Sequence, residues 1–185
     1  MVHDTKNSLD AMADWQPPHL LGMHREKLVQ FFSELPAPQE GEISGEYAGF
    51  DYLGHTREGW DAGWGRAEAG QGTWWLGKAI GKSEGYNRIL NPDGSISRMM
   101  RYGVRLGDSL LDGRPALLLV YSDFNNPTGD AGLVDEVRKV NDNLFLAACT
   151  FPDESGGRTE PAMIVLAGPA TAWIGVDDDK EEVRS

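Results

Sequence analysis

The chain has 185 residues, 40% of them apolar, with 23 glycines and 10 prolines: enough for one domain with a proper core, in a composition that favours short strands joined by turns. A formal charge of −12 repels phosphate backbones and anionic membrane surfaces, so neither nucleic acid nor a membrane is expected as a partner. A single cysteine, Cys149, excludes an internal disulfide and a cysteine-based metal cluster.

The first residues, Met1-Val2-His3-Asp4-Thr5-Lys6, lack the basic start and apolar region of a signal peptide, and no apolar run approaches membrane-spanning length. The expected location is the cytoplasm. Residues 1–22 are polar, broken by Pro17-Pro18, and read as an arm over the domain. From Met23 the pattern turns helical: Leu28, Phe31, Phe32 and Leu35 fall at i, i+3, i+4 and i+7, and Pro36 ends the helix. That helix either packs its Phe face on a sheet or plugs a barrel mouth.

Eight strands follow, over 42–53, 73–81, 85–91, 95–105, 115–123, 133–140, 143–151 and 161–176. The run Ala116 to Tyr121 is six apolar residues between turn formers, which predicts a strand buried on both faces. Asp93-Gly94 and Asn141-Asp142 mark tight hairpins. Sequential hairpins and a count of eight predict an all-β fold, an eight-stranded antiparallel up-and-down (lipocalin-like) β-barrel with an N-terminal helix, wide enough inside for one small ligand. A two-sheet sandwich is the alternative. The parts are an N-terminal arm and helix (1–40), the barrel (41–176) and an acidic tail (177–185). The connection His55 to Gly72, with Trp60 and Trp64, has the length of a lid or binding loop; a short helix covering an open end fits it as well.

Several short motifs occur in a fixed order: Phe31-Phe32-Ser33-Glu34-Leu35-Pro36, then Gly45-Glu46-Tyr47-Ala48-Gly49, then Trp75-Leu76-Gly77-Lys78. Asn87-Arg88, Asp108-Ser109-Leu110-Leu111-Asp112-Gly113-Arg114-Pro115-Ala116-Leu117, Asn126-Pro127 and Asp135-Glu136-Val137-Arg138 complete the series. Over about residues 28–150 this order resembles uncharacterised lipocalin-like (calycin-type) proteins with a GXWXG-type domain of unknown function. Tyr47 stands where that group has tryptophan. The resemblance implies the barrel and no chemistry.

No nucleophile elbow, zinc-protease, P-loop or C-x-x-C motif is present. His55 with Glu58 and Asp61 is the one thin metal candidate, against the plainer reading of a solvated loop, and neither metal nor cofactor is expected. Strand alternation points instead to polar groups that could share an interior. Tyr121 and Asp123 follow Leu117 and Leu119 on one face, Lys78 alternates with Trp74, Leu76 and Ile80, Arg101 with Met99, and Glu136 with Val134 and Arg138. Asp123, Tyr121, Glu136 and Lys78 are the candidate acid–base groups. Lys78–Asp123 or Arg101–Glu136 ion pairs supporting the fold are the plainer alternative. Trp60, Trp64, Trp74, Trp75, Met99, Arg101 and Tyr47 are candidates to line a pocket, with core filling as the alternative. The expected function is binding of a hydrophobic small molecule in the barrel. The alternative is a cofactor-independent isomerase, cyclase or dehydratase using the same cavity, and a partner-docking loop at Trp60 and Trp64 is a third possibility.

Overall fold

A computed structural model describes residues 11–52, 68–70, 72–126 and 132–176. Two helices, α1 (Pro17–Leu21) and α2 (Arg25–Glu34), precede the strands. The strands are β1 (Gly45–Asp51), β2 (Glu68–Gly70), β3 (Thr73–Ile80), β4 (Glu84–Leu90), β5 (Ile96–Asp108), β6 (Pro115–Val120), β7 (Val134–Asn141), β8 (Leu144–Thr150) and β9 (Ala162–Thr171). The sheet runs β1-β9-β8-β7-β6-β5-β4-β3-β2, and β1 also pairs with β3. That last pairing closes eight antiparallel strands into a barrel; the short β2 lies beside the start of β3, outside the ring. Closure removes the sheet edges that an open meander would expose.

The expected helix forms two residues inside its predicted start. It stops at Leu35, which is extended (ψ 148°) because Pro36 disfavours the α region before it. Leu28, Phe32 and Leu35 are buried against Val140, Leu144, Leu146, Ala148, Met163 and Val165, on the outside of the barrel wall. The helix therefore covers a wall and plugs no mouth. Burying Leu28 and Phe32 stabilises this contact by about 1.5–3 kcal/mol each. A buried guanidinium fastens it: Arg138 donates to the Phe32 carbonyl at 3.0 Å and forks onto Asp112 at 2.6 and 2.7 Å.

Because helices cover one wall, β8 is the strand buried along its whole length on both faces. Leu144, Leu146 and Ala148 lie under the helix side, while Phe145 and Ala147 enter the interior. β6, predicted in that role, is close behind, with Pro115 exposed and Leu118 half-buried. The interior is a second cluster built on Ile43, Tyr47, Ile80, Tyr102, Leu119, Val137, Phe145 and Leu166. Among the described residues no helix is long and apolar enough to cross a membrane.

Two bulges set which side chains enter the barrel. At Gly77 (φ 132°) a Cβ would stand 2.1 Å from the Tyr47 carbonyl oxygen, so only glycine fits. The β3–β4 register shifts between Trp75 and Gly77, and Leu76 is the extra residue. Without that shift Trp74 would share the face of Lys78; with it, Trp75 does, and Trp74 is 40% exposed. On β5, Met100 (φ 56°) opens a second shift, after which Met99 pairs with Asn87 and shares its face.

Candidate functional site

Lys78 on β3 and Asp135 on β7 occupy opposite walls: three strands of the ring separate them in either direction. Their side chains meet across the barrel, with Lys78 Nζ 2.6 Å from Asp135 Oδ2 and side-chain exposures of 3% and 1%. Lys78 also donates to the Tyr121 hydroxyl at 2.7 Å and to Asn87 Oδ1 at 3.1 Å. Asn87 Nδ2 donates to the same hydroxyl at 2.8 Å and to the Met100 carbonyl at 3.1 Å, and Trp75 Nε1 donates to Asn87 Oδ1 at 2.9 Å. The Tyr121 hydroxyl in turn donates to Asp135 Oδ2 at 3.2 Å. Four buried polar side chains thus form one connected network inside the barrel.

The local backbone explains each position. Tyr121 opens a 3₁₀ turn, Tyr121–Asp123, that stops β6 and leaves its ring tilted against Tyr102, centroids 5.0 Å apart. Trp75 lies so close to β1 that a Cβ on Gly49 would stand 2.2 Å from its ring. Lys78 Nζ sits 5.3–5.7 Å from the ring centroids of Trp75, Tyr102 and Tyr121, so aromatic faces surround the ammonium.

Burial is the largest influence and pulls the Lys78 ammonium down, but the charge and hydrogen bond of Asp135, joined by Tyr102 and Cys149, together outweigh it, and the pKa lies above its ordinary value. The Tyr121 phenol is pushed well up by burial and then by Asp135, and the Cys149 thiol by the same two causes. Asp51, at the end of β1, is raised by burial, with Lys78 pulling the other way. The lysine is therefore held charged, tyrosine and cysteine stay protonated, and the Asp51 carboxyl is displaced toward its neutral form.

Beyond this network the interior is packed with Tyr47, Tyr102, Leu119 and Phe145. Around it, Trp75, Met100, Leu133 and Ile164 are only partly buried while packing on the same core. A polar platform ringed by incompletely covered apolar side chains thus occupies this end of the barrel. A separate cavity of about 670 Å³ lies near the other end of the barrel, among Ile43, Val104, Leu106 and Leu117, rimmed by Lys82 and Arg105.

The sequence-predicted residues divide between these places. Lys78, Tyr121 and Trp75 join the network, and Met99 faces it from β5. Tyr47 points into the apolar floor, its hydroxyl accepting from the Ser44 N–H at 3.1 Å. Asp123 does not follow Tyr121 inward, because the 3₁₀ turn breaks the two-residue alternation; it pairs with Arg105 and lies against Gly103. Glu136 faces outward on β7, accepting from the Leu110 N–H at 2.9 Å. Arg101 also faces outward, paired with Glu84 and stacked on Phe124 at 4.1 Å. The expected Lys78–Asp123 and Arg101–Glu136 pairs are replaced by Lys78–Asp135, Arg105–Asp123 and Arg101–Glu84. Trp60, Trp64 and the His55, Glu58, Asp61 group lie outside the described residues.

Sequence reasoning missed Asp135, Asn87 and Asp51. Alternation within β7 held the signal for the first: Asp135 is out of phase with Glu136, and only one of the two can face in. It missed a second polar group as well, on the outer face. There Glu46 receives Arg98 at 2.7 Å, Arg88 at 2.9 Å, the Tyr86 hydroxyl at 2.9 Å and Thr171 at 3.0 Å. Three hydrogen-bond donors, Arg98, Tyr86 and Thr171, and the charge of Arg88 hold Glu46 as a carboxylate, against the burial that raises it, so this cluster is a fastening between β1, β4, β5 and β9.

No family model matches the chain, and no curated protein matches it. In structure it is similar to a protein from Thermomonospora curvata seen by crystallography, with a TM-score of 0.52 and 18% identity over 88% of this chain and 93% of that one. At that identity the likeness shows the shared barrel fold.

Proposed function

We propose that the barrel binds a small, mainly apolar molecule at the Lys78–Asp135 end, its polar group on the network and its body among Trp75, Met100, Leu133 and Ile164. One observation carries this reading: an ion-pair network buried inside a barrel whose interior is otherwise packed with apolar and aromatic side chains. Replacing a buried ion pair by well-packed apolar residues is often neutral or stabilising. A network kept where the fold does not require it marks a site with work to do. Kinship with the GXWXG-type group and a cytoplasmic setting belong to the same proposal, on the sequence reading alone.

The test is native mass spectrometry of the protein from its own host, then denaturation and identification of what is released. A stoichiometric apolar compound, lost in the folded Lys78→Met/Asp135→Leu double variant, supports the proposal. An empty protein whose melting temperature no apolar compound raises overturns it.

A proton-moving enzyme is the second reading, favoured by one observation. The Asp51 carboxyl, which burial shifts toward its neutral form, sits within electrostatic reach of the Lys78–Asp135 ion pair. A carboxyl group made a weaker acid by burial, beside such a pair, is placed to exchange a proton with a ligand. Asp123 and Glu136, which face outward, play no part in this version. An isomerase, cyclase or dehydratase of this kind would lose turnover in Asp51→Asn while retaining its ligand.

A further inference from the structure

Resting on the ligand-binding reading above, the head group of the ligand follows from counting what the network leaves unsatisfied. Lys78 has three N–H bonds, and three acceptors take them: Asp135 Oδ2, the Tyr121 oxygen and Asn87 Oδ1. The single Tyr121 proton goes to Asp135 Oδ2, and both Asn87 N–H bonds go to Tyr121 and Met100. The Trp75 N–H is committed to Asn87. Every donor in the platform is therefore occupied within the platform. What remains is one acceptor: Asp135 Oδ1 is buried and accepts no hydrogen bond from a nitrogen or oxygen donor, the Cys149 thiol beside this carboxylate being a weak donor at best. An unmet buried acceptor on a charged group is among the costlier features a fold can carry.

The side chains around it supply no stronger donor. Cys149 is the register partner of Asp135, and the wall that runs through β8 and β9 to β1 presents Ala147, Cys149, Ile164 and Gly49 at this end. None of these side chains carries a nitrogen or oxygen donor, and they stand opposite the β4–β5–β6 wall that carries Asn87, Met100 and Tyr121.

We infer that the ligand is an apolar molecule whose head is a hydrogen-bond donor, a hydroxyl or a protonated amine, held by Asp135 Oδ1. A carboxylic acid or ketone offers only acceptors when ionised or neutral respectively, finds no free donor on the platform, and meets a carboxylate oxygen instead. The local charge points the same way. Among the described residues Asp51 and Asp135 face a single lysine here, Lys78, which leaves no surplus positive charge on the platform. This reverses the plainest expectation for an interior lysine, which is an anion-binding post.

The experiment uses the full-length wild-type protein and four ten-carbon probes of matched length: decan-1-ol, decylamine, decan-2-one and decanoate. Affinities are measured at pH 7 by displacement of a fluorescent apolar probe below the critical concentration of each. The expected result is that decan-1-ol or decylamine binds at least tenfold more tightly than both acceptor-only compounds. In the Asp135→Asn variant, which keeps the size of the side chain and loses its charge, that preference falls below threefold. Decanoate or decan-2-one binding as tightly as the donors overturns this inference and leaves the ligand-binding reading standing. No binding by any of the four, with the wild type folded, overturns both. Because the ligand ranking is read on the wild type, it does not depend on the variant folding.

Discussion

Removing one member of the Lys78–Asp135 pair should damage the protein far more than removing both. In Lys78→Met, Asp135 keeps the Tyr121 hydroxyl as its one donor and becomes a buried charge at 1% exposure with no counter-ion in contact. In Asp135→Leu, the ammonium keeps Tyr121 and Asn87 as acceptors but loses its carboxylate. An orphaned buried ion costs about 3–5 kcal/mol, so each single variant should lose that much. For a chain of this length the melting temperature should fall by about 6–20 °C. The double variant replaces both charges with apolar groups of similar size, in an interior already lined by Trp75, Tyr102 and Ala147, and should return to within about 1 kcal/mol of wild type or exceed it. Denaturant unfolding of all four proteins at pH 7, followed by circular dichroism, gives the coupling energy directly, provided the slopes agree. Coupling below about 0.5 kcal/mol, with the double variant as unstable as the two single losses combined, would refute the argument that the pair is mutually compensating.

Three further outcomes follow from other parts of the fold. The Arg138 fork holds Asp112 at about 2 against an ordinary 3.8; since the folded value is the lower one, its stabilisation is complete above about pH 4 and lost as pH falls toward 2. Asp112→Asn should therefore flatten the acid limb of a stability-against-pH curve in that window, and an unchanged slope would count against the assignment. Glu136 runs the opposite way: burial raises it above 4.5, although Ser109 and Leu110 pull it down, and Oε2 has no partner. Glu136→Gln should stabilise by up to about 1 kcal/mol at pH 7, an advantage that disappears below about pH 4, where wild type is protonated; urea unfolding at both pH values checks it. Gly77→Ala drives a Cβ into the Tyr47 carbonyl at 2.1 Å from a left-handed backbone, and should cost about 3 kcal/mol or more, seen as a melting temperature lower by about 6 °C or more.

Much of the architecture was legible in the chain because its signals are local. Turn residues such as Asp93-Gly94 and Asn141-Asp142 act over a few positions, the Leu28, Phe32, Leu35 stripe needs only helical periodicity, and sequential hairpins leave few topologies for eight strands. Those same local signals placed Lys78, Tyr121 and Trp75 near an interior. Which residues actually meet there was decided by the tertiary structure, since one inserted residue in a ladder exchanges the two faces of a strand. The bulge at Leu76 turned Trp75 inward in place of Trp74, and the 3₁₀ turn after Val120 sent Asp123 outside. The decisive contact is the most distant from local rules: Lys78 and Asp135 are 57 positions apart (135 − 78) and belong to opposite walls, so only closure of the barrel brings an ammonium within 2.6 Å of its carboxylate.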